Sequence, residues 1–207
     1  MTAATHMFRE IREIPGAVDN LLSRGDKAVG AAAKAIRDLD PLFLVSVARG
    51  SSDHAATYAK YVSELLTGLP VASVGPSVAS VYGRTLRLER AACLAISQSG
   101  KSPDIVRMVD MAGKQGALSV ALTNNPDSDL AKVSAHTLEL HAGEELSVAA
   151  TKTFVTSAVA GVWLLAELAQ GAVHLAAIKA LPAALELAVE ADWGPLYEAA
   201  TGKEALY

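Results

Sequence analysis

Two short hydroxyl-rich stretches, Arg49-Gly-Ser-Ser52 and Ser97-Gln-Ser-Gly-Lys-Ser102, carry the side chains best suited to hold a ligand. Each follows an apolar run and precedes a stretch of helical periodicity. That position puts free backbone N–H groups and the positive end of a helix dipole beside the loop, and both favour an anion. The hydroxyls of Ser97, Ser99 and Ser102, with the Gln98 amide, add donors around a phosphate with no metal required, and Gly100 lets the backbone come close to it. Gly50, Ser51 and Ser52 supply the other loop. Neither spacing is the Gly-x-x-x-x-Gly-Lys-Ser/Thr loop or the Gly-x-Gly-x-x-Gly turn of nucleotide binders, so the ligand these residues describe is a small phosphorylated molecule. Serines ahead of helices are also ordinary N-caps. The functional reading therefore depends on whether the fold brings both loops to one crevice.

A third segment, Gly143-Glu-Glu-Leu-Ser-Val-Ala-Ala-Thr-Lys-Thr-Phe154, joins the last expected strand to a long apolar helix. Composition makes Glu144 and Glu145 a solvated pair and Lys152 a surface residue. His54 reads as a helix-face histidine bonded to a neighbour. His136 and His141 stand at no metal-ligand spacing from a cysteine or a carboxylate cluster, so no metal site is expected. The single cysteine, Cys93, lies in an apolar run, which leaves no disulfide framework and points to a reducing, cytoplasmic location.

The elements that must position these residues follow from glycine and proline punctuation. Apolar positions from Val18 to Leu39 predict a helix, weakened at Gly25 and Gly30. Leu42 to Ala48 is a nearly continuous run of β-formers, as expected for a strand covered on both faces. A helix over Asp53 to Thr67, stopped by Gly68, leads to a second strand at Val71 to Val74 and a third at Ala91 to Ser97. Ser102 as N-cap and Pro103 at the first helical position open the next helix, which Gly116 closes. Ala117 to Thr123 is a fourth strand, Asn124 to Asp129 a turn, and Ala135 to His141 a fifth strand. Only helices follow: Val148 to Ala169, Val173 to Ala191 and Pro195 to Ala200. This alternation predicts an α/β fold, a doubly wound five-stranded parallel sheet of flavodoxin-like order 2-1-3-4-5 flanked by helices. In that order the winding reverses between strands one and three, and ligands bind beyond the carboxyl ends there. Those two strands end in the two hydroxyl-rich loops.

With 207 residues, 51% hydrophobic and 19% charged, the chain has material for a real core. A net charge of −4 with no run of Lys or Arg argues against binding nucleic acid by displacing counterions. Neither Thr153 to Ala166 nor Leu65 to Gly83 supplies the ~20 uninterrupted apolar residues of a membrane span, and the N-terminus has no apolar signal core. The expected partners are small molecules or proteins, not nucleic acid or membrane.

Ala48-Arg-Gly-Ser-Ser-Asp-His-Ala55, Ile96-Ser-Gln-Ser-Gly-Lys-Ser-Pro-Asp104 and Glu145-Leu-Ser-Val-Ala-Ala-Thr-Lys-Thr-Phe154 resemble, in order and spacing, the three signatures of the sugar isomerase (SIS) domain. The resemblance runs from about Leu42 to Leu168. It is nearest to the first SIS domain in the isomerase half of glucosamine-6-phosphate synthase and in SIS-type glucosamine-6-phosphate deaminases and isomerases. It implies a phosphorylated sugar or aminosugar as ligand, with neither metal nor organic cofactor. It also implies that Ser97, Gln98, Ser99 and Ser102 grip the phosphate, while Gly50, Ser51, Ser52 and the backbone around Val148 face the sugar. Lys101 stands where relatives often have glutamate, and Ser102 where they often have threonine.

The departures shape the expected activity. Thr2 stands where the synthase carries its glutaminase cysteine, so glutamine-dependent synthesis is not expected. Val74 to Gly83 contains neither the histidine nor the glutamate that single-domain isomerases carry after strand two. In two-domain relatives the catalytic glutamate, histidine and lysine come from a second SIS domain. The resemblance therefore implies a helical segment over 1–40, a SIS domain over 41–170, and a helical extension over 171–207 leading to a second SIS domain. Lys203-Glu-Ala-Leu-Tyr207 resembles Pro41-Leu-Phe-Leu, where the first strand begins. The base that moves a proton between C1 and C2 through an enediol or enolamine is expected outside the chain, with Glu145 the sole candidate inside it. The alternative is a non-catalytic sugar-phosphate sensor, although the first 40 residues promise at best one long helix and no basic recognition helix. SIS relatives pair through helices, and an apolar helix over Val148 to Ala169 fits a homodimer.

Overall fold

The computed structural model describes residues 5–203. The expected start of a further strand lies, from residue 204 on, outside the described residues. Three helices come first: α1 (His6–Arg12), α2 (Ile14–Arg24) and α3 (Asp26–Leu39). The single helix expected over Val18 to Leu39 is thus broken, and the break falls at Gly25. A Cβ there would lie 2.8 Å from the Leu21 carbonyl oxygen and 3.0 Å from the Trp163 ring, so only glycine fits. Gly30 has open space around it and lies within α3.

The sheet contains β1 (Phe43–Val47), β2 (Val71–Ser73), β3 (Ala91–Ile96), β4 (Leu118–Thr123) and β5 (His136–Glu139), all parallel, in the order β2-β1-β3-β4-β5. The register sets Val45 beside Ala72 and Cys93, and Cys93 beside Ser119. Alternate residues feed two cores. Leu44, Leu94, Ile96 and Leu122 face one side, and Val45, Val47, Cys93 and Ala95 the other. A strand buried on both faces has no polar side to show, which is why these segments read as continuous apolar runs.

The first core is closed by α3, by α4 (Ser51–Thr67) and by α8 (Lys152–Leu168), through Ile36, Ala56, Ala59, Trp163 and Leu164. The second is closed by α6 (Pro103–Lys114), through Ile105, Met108 and Val109, and by the short α7 (Asp129–Val133), through Leu130. A single turn, α5 (Ser77–Ser80), lies between β2 and β3. α7 was not anticipated; Ser128 caps it, its Oγ accepting from the Ala131 N–H at 3.3 Å.

α8 begins at Lys152, not at Val148, because the preceding residues form a loop. α2, α3, α4 and α9 (Ala172–Lys179) pack around it, so its apolar character is largely explained within the chain. Phe154, Val155, Ala158 and Val162 remain half-buried. The helix expected over Val173 to Ala191 is two, α9 and α10 (Leu181–Glu190), bent by 43°. Pro182 has no N–H to continue the ladder, so the chain restarts there. α11 (Gly194–Ala200) ends the described helices. No single described helix is long and apolar enough to cross a membrane.

Candidate functional site

β1 and β3 are neighbours, so their carboxyl-end loops lie side by side. A cleft of about 270 Å³ opens there, lined by Gly50, Ser52, Ser97, Gln98, Ser99 and Ser102 together with Arg49, Ile96 and Ile105. Of the residues expected from sequence, Ser51 is exposed outside this lining, and the Val148 side chain stands fully exposed in the third segment.

Gly50 turns the chain from β1 into α4 at φ +58° and ψ −135°, a conformation that a residue with a Cβ rarely adopts. Ser97 is 6% exposed, and its hydroxyl has no hydrogen-bond partner among the described residues. Ser102 occupies the N-cap of α6, but its side chain makes no capping bond, so that hydroxyl is also uncommitted. The Ser99 Oγ accepts only the Lys101 N–H, at 3.3 Å. The donors that sequence alone would assign to helix capping are thus free toward the cleft.

The 97–102 loop is held rigid from behind. The Gln98 carbonyl accepts from the Asn124 N–H at 2.9 Å and from the Thr123 hydroxyl at 3.2 Å. Gly100, at φ +63°, packs against α7's cap: a Cβ would lie 2.1 Å from Ser128 Oγ. Asn124 then links this wall to the third segment, its Nδ2 donating to the Gly143 carbonyl at 2.7 Å and its Oδ1 accepting from the Ala142 N–H at 3.0 Å. Sequence reading took Asn124 to Asp129 as a plain turn and missed these roles.

The third segment corrects two expectations. Glu144 is exposed, but Glu145 is half-buried and engaged by hydrogen bonds. Its carboxylate accepts from the N–H and hydroxyl of Thr151, each at 3.0 Å, and from the N–H and hydroxyl of Thr153, which satisfies two of the backbone N–H groups around the start of α8. Lys152 is not on the surface: it is 3% exposed and ion-paired with Glu13. Glu10, also buried, accepts from the N–H groups of Leu146 and Ser147. α1 and α2 thus supply the counter-charge and acceptors that let this loop bury its polar groups. His54, expected to bond a neighbour, is exposed and unbonded among the described residues.

Arg49 was passed over in the sequence, yet it lines the cleft and its Nη1 donates to Asp104 Oδ2 at 2.8 Å. An arginine beside two serines was the available signal. Among the described residues, no carboxylate or imidazole lines the cleft. Among the described residues no group of three or more His, Cys, Asp or Glu side chains is arranged to hold a metal ion. Cys93 is fully buried in β3, and burial pushes its thiol from 9.0 up to about 12.

The SIS domain family model matches residues 37–167 of this chain. A glutamine-fructose-6-phosphate aminotransferase (isomerizing) from Streptococcus pneumoniae (strain ATCC BAA-255 / R6) is 33% identical over 168 residues, which cover 78% of this chain and 27% of that enzyme. A crystal structure from Silicibacter pomeroyi DSS-3, provisionally named a phosphosugar isomerase, matches at TM-score 0.93 and 58% identity over 97% of this chain and 61% of that one. The C-terminal domain of glucosamine-fructose-6-phosphate aminotransferase from Francisella tularensis matches at TM-score 0.79 and 25% identity, over 98% of this chain and 61% of that one. The chain therefore spans about a quarter of the length of the curated relatives it matches.

Proposed function

The chain belongs to the SIS domain family, and from that premise we propose that it is the phosphosugar-binding domain of an aminosugar-phosphate isomerase or deaminase. The observation that carries this reading is the convergence of uncommitted donors, Ser97, Ser99 and Ser102, between two helix-opening loops at the reversal point of the sheet. Such a site suits a phosphate. The named relatives supply the sugar class, fructose-6-phosphate and glucosamine chemistry. Gly50, Ser51, Ser52 and the backbone near Val148 are assigned to the sugar side.

The cleft holds no group to shuttle a proton between C1 and C2, and Glu145 is already engaged by Thr151 and Thr153. We therefore assign acid–base chemistry to a second SIS domain following the 171–207 extension, with the 41–170 domain binding the ligand in a cytoplasmic homodimer. The chain alone binds and does not turn over.

Calorimetric titration tests this. Glucosamine-6-phosphate and fructose-6-phosphate bind, while glucosamine and fructose do not. Ser99→Ala and Ser102→Ala each weaken binding by about 0.5–1.5 kcal/mol, up to ~3 where the acceptor is charged. Equal affinity for free and phosphorylated sugars would overturn the reading. The lack of an acid or base in the cleft also favours a second reading, a non-catalytic sugar-phosphate sensor. Turnover assayed on the chain extended past Tyr207 separates the two: interconversion selects the enzyme, and binding without turnover selects the sensor.

A further inference from the structure

Among the described residues that line the cleft, Arg49 alone carries a charged side chain. Its guanidinium leaves the loop after β1 and meets Asp104 in the first turn of α6, joining the two sides of the cleft at 2.8 Å. The partners are unequal. The Arg49 side chain is 62% exposed and the Asp104 side chain 19%, so the arginine is the movable arm and the carboxylate the fixed seat. Beside them the buried Ser97 holds its hydroxyl without a partner among the described residues, and Ser102 makes no capping bond with its own. These neutral donors satisfy hydrogen bonds, but they do not neutralise the charge of an anion taken out of water.

We propose that Arg49 is the dianion-selecting residue of this cleft and that Asp104 sets its threshold. The proposal rests on the phosphosugar reading above. A guanidinium offers five N–H donors, of which Asp104 takes one, so a bidentate contact to a phosphoryl group stays open. A singly charged anion meets an arginine already matched by an equal charge and gains little by competing for it. A phosphate monoester dianion carries the larger charge, draws the guanidinium away from Asp104, and takes up Ser97, Ser99 and Ser102 together with it. The cleft thereby responds to the second ionisation of the phosphoryl group, near pH ~6.

The test is calorimetry on the full chain with glucosamine-6-phosphate and glucosamine-6-sulfate, tetrahedral esters of one sugar that differ in charge. The wild type prefers the phosphate ester at pH 7.5, and the preference shrinks as pH falls through about 6. Arg49→Gln loses roughly 10- to 100-fold in phosphate-ester affinity and flattens that pH profile. Asp104→Asn strengthens sulfate-ester binding more than phosphate-ester binding, closing the gap from the other side. Arg49→Gln keeps the wild-type melting temperature within a few degrees, because the side chain it replaces is mostly exposed and glutamine can still donate to Asp104, and Asp104→Asn does so because the amide fills the same space. Arg49→Gln with wild-type affinity and pH profile would overturn the proposal and leave the phosphosugar reading standing. Asp104→Asn that weakens both esters alike would overturn the threshold role. A wild type that binds neither ester would overturn both readings.

Discussion

Four donors from Thr151 and Thr153 converge on the Glu145 carboxylate at the start of α8, and removing that carboxylate orphans all of them. Glu145→Ala is expected to lower stability by about 1–3 kcal/mol in urea denaturation, and Glu145→Gln, which keeps one strong acceptor, by less. Unchanged stability in the alanine variant would free Glu145 for a chemical role. Cys93 makes the opposite case, a reactive residue type made inert by position. Its folded thiol is pushed up to about 12 by burial, above the ordinary 9.0, so the unfolded chain gives up its proton first. The associated stability is complete below 9.0 and is lost as pH rises toward 12. Native protein should resist a thiol-labelling reagent at pH 8 and react once unfolded in urea. Fast native labelling would contradict the burial.

The loop between β3 and α6 acts as one unit with the start of α7, and Gly100 is where they touch. Gly100→Ala meets left-handed strain of about 1–3 kcal/mol and an overlap with Ser128 Oγ, which is already bound to the Ala131 N–H. Phosphosugar affinity should fall more in this variant than in Ser128→Ala, as read by titration; equal losses would mean that the loop tolerates the shift. This element also shows what could be read from sequence. β1 and β3 were legible because burial on both faces leaves an uninterrupted apolar run, and α6 because Ser102-Pro103 opens it. The placement of Ser97, Gln98, Ser99 and Ser102 along the cleft could be read because each is local to its strand end. The sequence marks Gly25 and Gly30 alike as weak points, and what distinguishes them, the Trp163 ring close against Gly25 and open space at Gly30, comes from a distant helix. The pairing of the buried Lys152 with Glu13, the Glu10 contacts to the third segment and the Arg49–Asp104 bridge were not legible, since all of them join segments far apart in the chain.

Two apolar grooves mark the outer side of α8. One, of about 420 Å³, is lined by Tyr58, Val62 and Leu65 of α4 with Phe154, Ala158 and Val162 of α8. The other, of about 450 Å³, is lined by Phe8, Ile11, Leu185 and Trp193, and Val155 belongs to both. Since α2, α3, α4 and α9 already enclose the rest of α8, the proposed homodimer is assigned to this strip. Leu65 is 81% exposed, and Tyr58 and Tyr61 on the same helix are each more than half exposed, the kind of apolar surface that marks association. Sedimentation at micromolar concentration should show a dimer, and Leu65→Glu should shift it to monomer by placing a charge in the buried contact. Leu65 lies about 20 Å along α4 from Ser51 at 1.5 Å per residue, so the cleft end of the helix is untouched and phosphosugar affinity should persist in the monomer. A wild type that sediments as a monomer would remove the pairing and leave the strip to a second SIS domain, whereas loss of phosphosugar binding in Leu65→Glu would mean that the cleft is completed only across the two copies.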